Sequence, residues 1–256
     1  MPRRPGQGGL PVIQRRPISE WINRVNSARE ELSKLRALLP PDRAIQLEAH
    51  LDSEFVRSNL ALDGIRVEPA ELALALSKPA PEATHSTNTG RLLSESVQAL
   101  RLIQKLANAE AKEANLTFEL LHQLHTANTT GEGATSGDRP QASLPHNAAS
   151  LEALALWTAA DSFKELHAIE QSAIVLLRLL EINPFQKATG RLARLAASLF
   201  TIRAGLAPII VPAGLSSRYL AAVEEGTRMN TQPMVELLAE CLDNALRELI
   251  GLAGGA

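Results

Sequence analysis

The feature that most constrains the fold is a fully apolar run, Ala173 to Leu177, which reads Ala-Ile-Val-Leu-Leu. A helix that is apolar on nearly every side is stable only when other elements surround it. Arg178 and Glu181 follow closely, so the run is far shorter than the roughly 20 apolar residues that cross a bilayer. The sequence therefore predicts a central helix that is sheathed by other helices.

Composition favours helices for the surrounding elements as well. Apolar residues make up 45% of the chain but aromatic residues only 3%, so Leu, Ala, Ile and Val must build the core. Ala and Leu lose little side-chain freedom in a helix, whereas strands are enriched in β-branched and aromatic residues. We expect an all-α protein with about nine helices and no confident strand.

Charge and cysteine content limit the classes of binding partner and the cellular compartment that we expect. The 26 basic and 28 acidic side chains nearly cancel, so no global field draws the chain onto nucleic acid or a membrane. The single cysteine, Cys241, cannot form an internal disulfide, and its apolar surroundings indicate a core residue. The first residues lack the apolar run of a signal peptide. We expect a cytoplasmic protein.

The chain divides into three predicted regions. Residues 1–18 are rich in Pro, Gly and Arg and form a flexible tail. Residues 19–87 form an N-terminal helical region that ends in a linker, and residues 88–256 form the core domain. The predicted helices are Glu20–Leu39 with Ser19 as its N-cap, Asp42–Leu62, Glu68–Lys78, Leu92–Asn108, Thr117–His125, Leu151–Leu180, Ala188–Ala204, Ser216–Glu225 and Gln232–Ile250. A long loop is expected from Thr126 to Ser150.

A helix–loop–helix in the second half is a candidate anion site. The buried helix ends at Ile182, and a second helix opens near Gly190. The N-terminus of a helix attracts phosphate through its unpaired N–H groups and its partial positive charge. Arg191 and Arg194 are three residues apart and reach the same side of the loop. The alternative is a surface loop with solvated arginines.

These residues also carry a family resemblance. Asn183-Pro-Phe-x-x-x-x-Gly-Arg-x-x-Arg194 resembles the Fic motif, His-Pro-Phe-x-Asp/Glu-Gly-Asn-Gly-Arg-x-x-Arg, which lies between two central helices. The resemblance covers about residues 45 to 240, and it includes the Leu-His-x-Leu pattern within Leu120–His125. It implies a Fic-like helical domain. It also implies transfer of a nucleotidyl group, usually AMP, from a Mg²⁺-bound triphosphate to a hydroxyl side chain.

Two positions of the motif depart from that chemistry. Asn183 stands where the family has the histidine that accepts the hydroxyl proton, and an amide cannot act as this base. Loss of a positioned base typically removes about 10² to 10⁴ in rate. Lys187 stands where the family has the acidic residue that binds Mg²⁺, and an ammonium group repels a divalent cation. The resemblance therefore implies ATP as the ligand but gives no support for Mg²⁺, and no metal ligand is predicted.

The phosphate-binding part of the motif is better retained. Gly190, Arg191 and Arg194 match the family pattern, whereas Ala188 and Thr189 replace its first glycine and its asparagine. Glycine allows the backbone to approach a phosphate closely. Lys187 can replace part of the charge of the missing metal. The predicted nucleotide-binding residues are Lys187, Ala188, Thr189, Gly190, Arg191 and Arg194.

A second resemblance lies in the N-terminal region. The segment Ser58-Asn-Leu-Ala-Leu-Asp-Gly64 resembles the Ser/Thr-x-x-x-Glu-Gly of Fic inhibitory helices, whose glutamate pairs with the second arginine of the motif. Asn59, Asp63 and Gly64 are the predicted regulatory residues, and Asp63 is expected to approach Arg194. The alternative is an ordinary helix C-terminus at Asp63-Gly64.

Two further features carry less specific signals. Gly137-Asp-Arg139 lies where the family places a flap that docks the target protein, but Asp138 replaces the usual aromatic residue. His122 and His125 share a helix face, yet no third ligand is spaced to join them, so packing or capping is favoured over metal binding.

The leading hypothesis is a catalytically impaired Fic-fold protein that acts by binding a nucleotide or another protein. One alternative is an active protein nucleotidyltransferase that uses ATP or another phosphate-containing donor. Another is a regulatory or structural partner of an active homologue. The partner protein and the formation of a homo-oligomer are left open by the sequence.

Overall fold

A computed structural model of the chain describes residues 17–77, 88–108, 116–127, 145–185 and 188–255. Every regular element in these ranges is helical, which confirms the all-α prediction. The elements are α1 (Ile18–Arg36), α2 (Pro41–Ala61), α3 (Pro69–Ser77), α4 (Asn88–Ala107), α5 (Phe118–Ala127), α6 (Pro145–Ala159), α7 (Asp161–Lys164), α8 (Ala168–Ile182), α9 (Thr189–Arg203), α10 (Ser216–Thr227) and α11 (Gln232–Gly254), with a 3₁₀ turn at Ala213–Leu215. None of the described helices is long and apolar enough to cross a membrane.

Helix α8 is the predicted central helix, and its surroundings confirm that assignment. Val175 and Leu179 face one apolar cluster, which is shared with α4, α5 and α9. Ile169 and Leu176 face a second cluster, which is shared with α1, α10 and α11. These four side chains are fully buried. Burying one such side chain stabilises a fold by about 1.5–3 kcal/mol, which explains why the most apolar helix lies in the middle.

The N-terminal helices pack directly on the rest of the chain. Helix α1 runs along α11, where Arg24 donates to the fully buried Asp243, and Arg247 donates to the same carboxylate at 2.9 Å. Helix α2 has Leu51 in one cluster and Phe55 in the other. The predicted tail and linker fall largely outside the described residues, so the boundaries 1–18, 19–87 and 88–256 stay predictions.

Two helix assignments from the sequence are wrong. Helix α1 begins at Ile18, with Pro17 and not Ser19 at the N-cap. Proline has a φ suited to a helix entrance, and the helix starts two residues earlier than the Ser signal indicates. The predicted loop Thr126–Ser150 is also too long, because α6 begins at Pro145. Proline is well suited to the first turn of a helix, which the sequence analysis did not use here.

The predicted single helix Leu151–Leu180 is three helices in the structure: α6, α7 and α8. Ala160 is extended before α7, whose Phe163 is buried and anchors the short turn. His167 then caps α8 by accepting from the N–H of Ile169, while Glu170 bonds back to the N–H of His167. This arrangement is a capping box with His in place of Ser or Thr, so the usual sequence signal was absent.

Cys241 lies in the core, as predicted. Its side chain is buried, and this burial raises the pKa of the thiol to about 12. A thiol with so high a pKa stays protonated at neutral pH and is a poor nucleophile.

Candidate functional site

The loop between α8 and α9 reverses the chain at two left-handed residues. Asn183 ends α8 with φ 47°, and Ala188 precedes α9 with φ 57°. Asparagine tolerates this conformation, but it is unfavourable for alanine and persists only when the surroundings hold it. Phe185 supplies such a hold because it is buried and stacks on His125 of α5, with ring centroids 3.9 Å apart. The loop is therefore pinned to the core from inside.

The Asn183 side chain is tied to the first residue of α9. The Thr189 hydroxyl lies 2.7 Å from Asn183 Oδ1 and 2.6 Å from the carbonyl oxygen of Phe185. A hydroxyl group carries one proton, so these two acceptors share it. The Asn183 amide thus links the two ends of the loop, although Asn183 itself is exposed.

The two predicted arginines lie beneath the N-terminus of α9 and are almost completely buried, each 4% exposed. Arg194 donates from Nε to Oδ1 of Asn59 and from Nη2 to the carbonyl oxygen of Asn59 at 3.0 Å. A Cβ atom at Gly190 would lie only 3.1 Å from Arg194 Nη1. A larger residue here would require the Arg194 guanidinium to shift by a few tenths of an ångström.

Asp63 lies against both arginines. Its Oδ1 is 2.8 Å from Arg194 Nη2, and its Oδ2 is 3.6 Å from Arg191 Nη1. The predicted approach of Asp63 to Arg194 is thus present in the structure. Gly64 has φ 78°, as expected for the residue that ends a helix, so the segment is a helix C-terminus as well as a contact to the motif. Both guanidinium groups thus lie against the Asp63 carboxylate.

Tyr219 of α10, the single tyrosine of the chain, completes the surroundings of Arg194 and was missed by the sequence analysis. Burial raises the pKa of its phenol, the positive charge of Arg194 opposes the shift, and Asp63 adds to it. Nothing local in the sequence connects α10 with α9.

Several predicted residues lie elsewhere or are not described. Lys187 and the segment 137–139 fall outside the described residues. His125 packs on Phe185, as favoured for this pair of histidines, and His122 lies 6.1 Å from the Phe118 ring. In the described ranges, no three or more His, Cys, Asp or Glu side chains group together as they would around a metal ion.

A cleft of about 610 Å³ lies beside the loop, between α6 and α8. Leu154 and Trp157 of α6 form one wall, and Ile182 and Asn183 lie on the other. Asn183 therefore faces open space that is large enough for a side chain of another molecule.

Solved structures with the same arrangement of helices decide the fold. A fragment of Fic-1 from C. elegans (residues 134–508) matches with a TM-score of 0.74 over 91% of this chain and 72% of that one, at 18% identity. A Fic-domain-containing signaling protein from Bacteroides thetaiotaomicron matches with a TM-score of 0.76 at 20% identity, over 91% of this chain and 98% of that one. The chain has the Fic fold.

Sequence relatives point in the same direction over a shorter segment. The proteins named protein adenylyltransferase Fic from Drosophila virilis and Drosophila melanogaster are each 28% identical over 90 residues, which is 35% of this chain. The matched segment spans 19% and 18% of their respective lengths. No family model matches the chain.

Proposed function

We propose that this Fic-fold protein binds a phosphate-containing nucleotide at the N-terminus of α9 and is impaired in nucleotidyl transfer. The carrying observation is the contrast between two parts of one loop. At its start, the Asn183 amide is bonded to Thr189, whereas beneath its end two buried arginines face the Asp63 carboxylate. Asn183 has no group that could accept a proton near neutral pH, whereas Arg191 and Arg194 keep the positive charge that binds an anion.

The impaired chemistry follows from the residue that stands in place of the base. An amide does not titrate near neutral pH, so Asn183 cannot take a proton from an attacking hydroxyl. Its hydrogen bond with the Thr189 hydroxyl also turns the amide toward α9. With Lys187 at the metal position of the motif, a metal-bound triphosphate would meet a cation in place of a carboxylate.

Retained binding is supported by the buried charges. Isolated buried charges are costly, so two arginines at 4% exposure need an anion close by. Asp63 is such an anion, 2.8 Å from Arg194 and 3.6 Å from Arg191. A phosphate group offers more acceptor oxygens than one carboxylate, and the free N–H groups of a helix N-terminus add to the attraction.

An adenine nucleotide is the best-supported ligand class. The Drosophila relatives are named as adenylyltransferases, and the adenylyl group of such a reaction comes from an adenine nucleotide. The same relatives favour an active transferase as the second candidate function. That candidate requires a different proton acceptor, since Asn183 cannot supply one.

Asp63 is placed to control this site. Because it occupies the face of both guanidinium groups, a phosphate must displace it before binding. We infer that the resting protein is self-blocked and that nucleotide affinity rises when Asp63 leaves.

Calorimetry with ATP tests the binding, using the native chain and an Asp63→Ala variant. We expect weak binding by the native chain and clearly tighter binding by the variant. An absence of heat from both proteins would refute nucleotide binding at this site.

Incubation with radiolabelled ATP and a cell lysate tests the impairment. We expect the Asp63→Ala variant to label no protein above the background of an Arg191→Ala control. Label that depends on Arg191 would overturn the impairment and establish the second candidate function.

A further inference from the structure

Arg194 is held by two residues of different kinds. Asn59 lies within the last turns of α2 and is 6% exposed, whereas Asp63 follows the helix and its side chain is 27% exposed. Asn59 accepts from Nε with its side chain and from Nη2 with its backbone carbonyl. Asp63 accepts from Nη2 alone at hydrogen-bond distance.

The carbonyl of Asn59 would otherwise lack a helical donor. Within α2 the expected donor is the N–H four residues later, that of Asp63, but this group bonds to the carbonyl of Leu60 at 3.0 Å. The last carbonyl groups of a helix have no partner inside the helix, and its C-terminus carries partial negative charge. The guanidinium of Arg194 therefore both satisfies the end of α2 and is attracted to it.

The turn after α2 differs from the helix itself. Gly64 adopts φ 78°, and a Cβ atom placed on it would meet nothing within 4 Å. The turn that carries Asp63 is thus open on its outer side. Movement of Asp63 need not disturb the buried side chains of α2, such as Phe55 and Leu60.

We propose that Asn59 is the positioning residue of this site: it holds Arg194 against Gly190 and the N-terminus of α9 whether or not Asp63 is in contact. Neither Asn59 nor Asp63 uses Nη1, the nitrogen nearest to Gly190. The site then opens by movement of Asp63 alone, while α2 stays in place. This regulation rests on the proposed nucleotide site.

The direct test is the NMR signal of the Arg194 Nε–H group, assigned by its loss in Arg194→Lys. We expect this proton to be protected from exchange in the native chain and in Asp63→Ala. We expect protection to fall at least tenfold in Asp63→Ala/Asn59→Ala. Unchanged protection in that double variant, or loss of protection in Asp63→Ala alone, would overturn the role of Asn59.

A binding cycle tests whether Asn59 acts through Arg194. The probe is ATP without Mg²⁺, titrated into Asp63→Ala and into the same background with Asn59→Ala, Arg194→Ala or both. When Arg194 is present, we expect Asn59→Ala to weaken ATP binding about tenfold. When Arg194 is replaced by alanine, we expect Asn59→Ala to have no further effect, because the effects of two coupled residues do not add. Equal losses in both backgrounds would show a purely structural role.

Asn59→Ser is the conservative variant if Asn59→Ala does not fold. Like Asn59→Ala it keeps the backbone carbonyl, but it adds a shorter side-chain acceptor, so a smaller loss of ATP affinity than in Asn59→Ala is expected; a loss as large as the complete removal of Arg194 would contradict the proposal. Should Asp63→Ala fail to bind ATP at all, the proposed function fails. The exchange experiment still decides the role of Asn59.

Discussion

The two ends of the α8–α9 loop lie close together in the sequence but have opposite physical character. Asn183 at the start is exposed, neutral and bonded within the loop. Arg191 and Arg194 at the end are buried, charged and bonded across to the α2 region. A neutral amide can occupy an exposed position at little cost, whereas buried charges need partners. The proposed loss of catalysis concerns the exposed amide, and the proposed nucleotide binding concerns the buried arginines.

The largest expected effect is on the arginine side. In the Asp63→Ala background, Arg191→Ala should weaken ATP binding by about 100-fold, because charge-assisted hydrogen bonds contribute about 1.5–3 kcal/mol each. Calorimetry measures the loss. Arg228→Ala is the matched control, since Arg228 is well exposed at the end of α10 and pairs with Glu224 and Glu225 of that helix. Similar losses in the two variants would reduce the effect to overall charge.

A gain of binding is expected from the residue between the two regions. Asp63→Ala should strengthen ATP binding about tenfold, because the phosphate then no longer competes with Asp63 for the donors of Arg194 and Arg191. A hydrogen bond to a charged group contributes about 1.5–3 kcal/mol. The control is Asp42→Ala, which removes the same charge at the opposite end of α2. Equal gains in both variants, measured side by side by calorimetry, would contradict a specific block by Asp63.

A substitution that breaks the hydrogen bonds at the start of the loop should lower the unfolding free energy but leave ATP affinity nearly unchanged. Thr189→Val removes the hydroxyl that joins Asn183 to Phe185 and should cost about 1 kcal/mol of unfolding free energy, the usual contribution of a hydrogen bond. Urea unfolding measures this cost, and Thr189→Ser, which keeps the hydroxyl, is the control. Because valine keeps the backbone N–H at the start of α9, ATP affinity in the Asp63→Ala background should change less than about twofold. A large loss of affinity would show that the two parts of the loop are coupled.

The smallest expected effect is on the pH dependence of stability. Of the two residues at the ends of α8, His167 can titrate and Asn183 cannot. Burial lowers the pKa of His167, and its Nδ1 accepts from Ile169 only while unprotonated. The unfolded chain, with a pKa of about 6.5, then binds the proton more readily, so stability is complete above that pH and falls below it.

His167→Asn keeps an N-cap acceptor without titrating. The unfolding free energy of the native chain should fall more than that of the variant between pH 7 and pH 5, by up to about 1 kcal/mol. Parallel urea titrations at both pH values measure this. An identical pH dependence of the two proteins would remove His167 from the account.

Local patterns were sufficient for most of the fold. The apolar run of α8 predicted its burial, and Gly64 and Gly205 marked helix ends where the structure has positive φ. Two boundaries between the long loop and α8 were missed for different reasons. Pro145 opens α6, an ordinary signal that was not used, whereas His167 caps α8 in place of the usual Ser or Thr.

The candidate site was predicted only where a motif carried it. The approach of Asp63 to Arg194 followed from two resembling segments that are far apart in the chain. The double hold of Asn59 on Arg194 did not follow, because it depends on a carbonyl left without a donor at the end of α2. The position of Tyr219 depends on how α10 packs, which no local pattern encodes.

The most direct test of the central claim is a titration of ATP into the Asp63→Ala variant, with and without Mg²⁺. A site that binds phosphate through Arg191 and Arg194, with Lys187 where the motif carries its metal ligand, predicts binding that is as tight or tighter without the metal. Binding that requires Mg²⁺, or that Mg²⁺ strengthens tenfold, would show that the metal chemistry of the motif persists and would contradict the account.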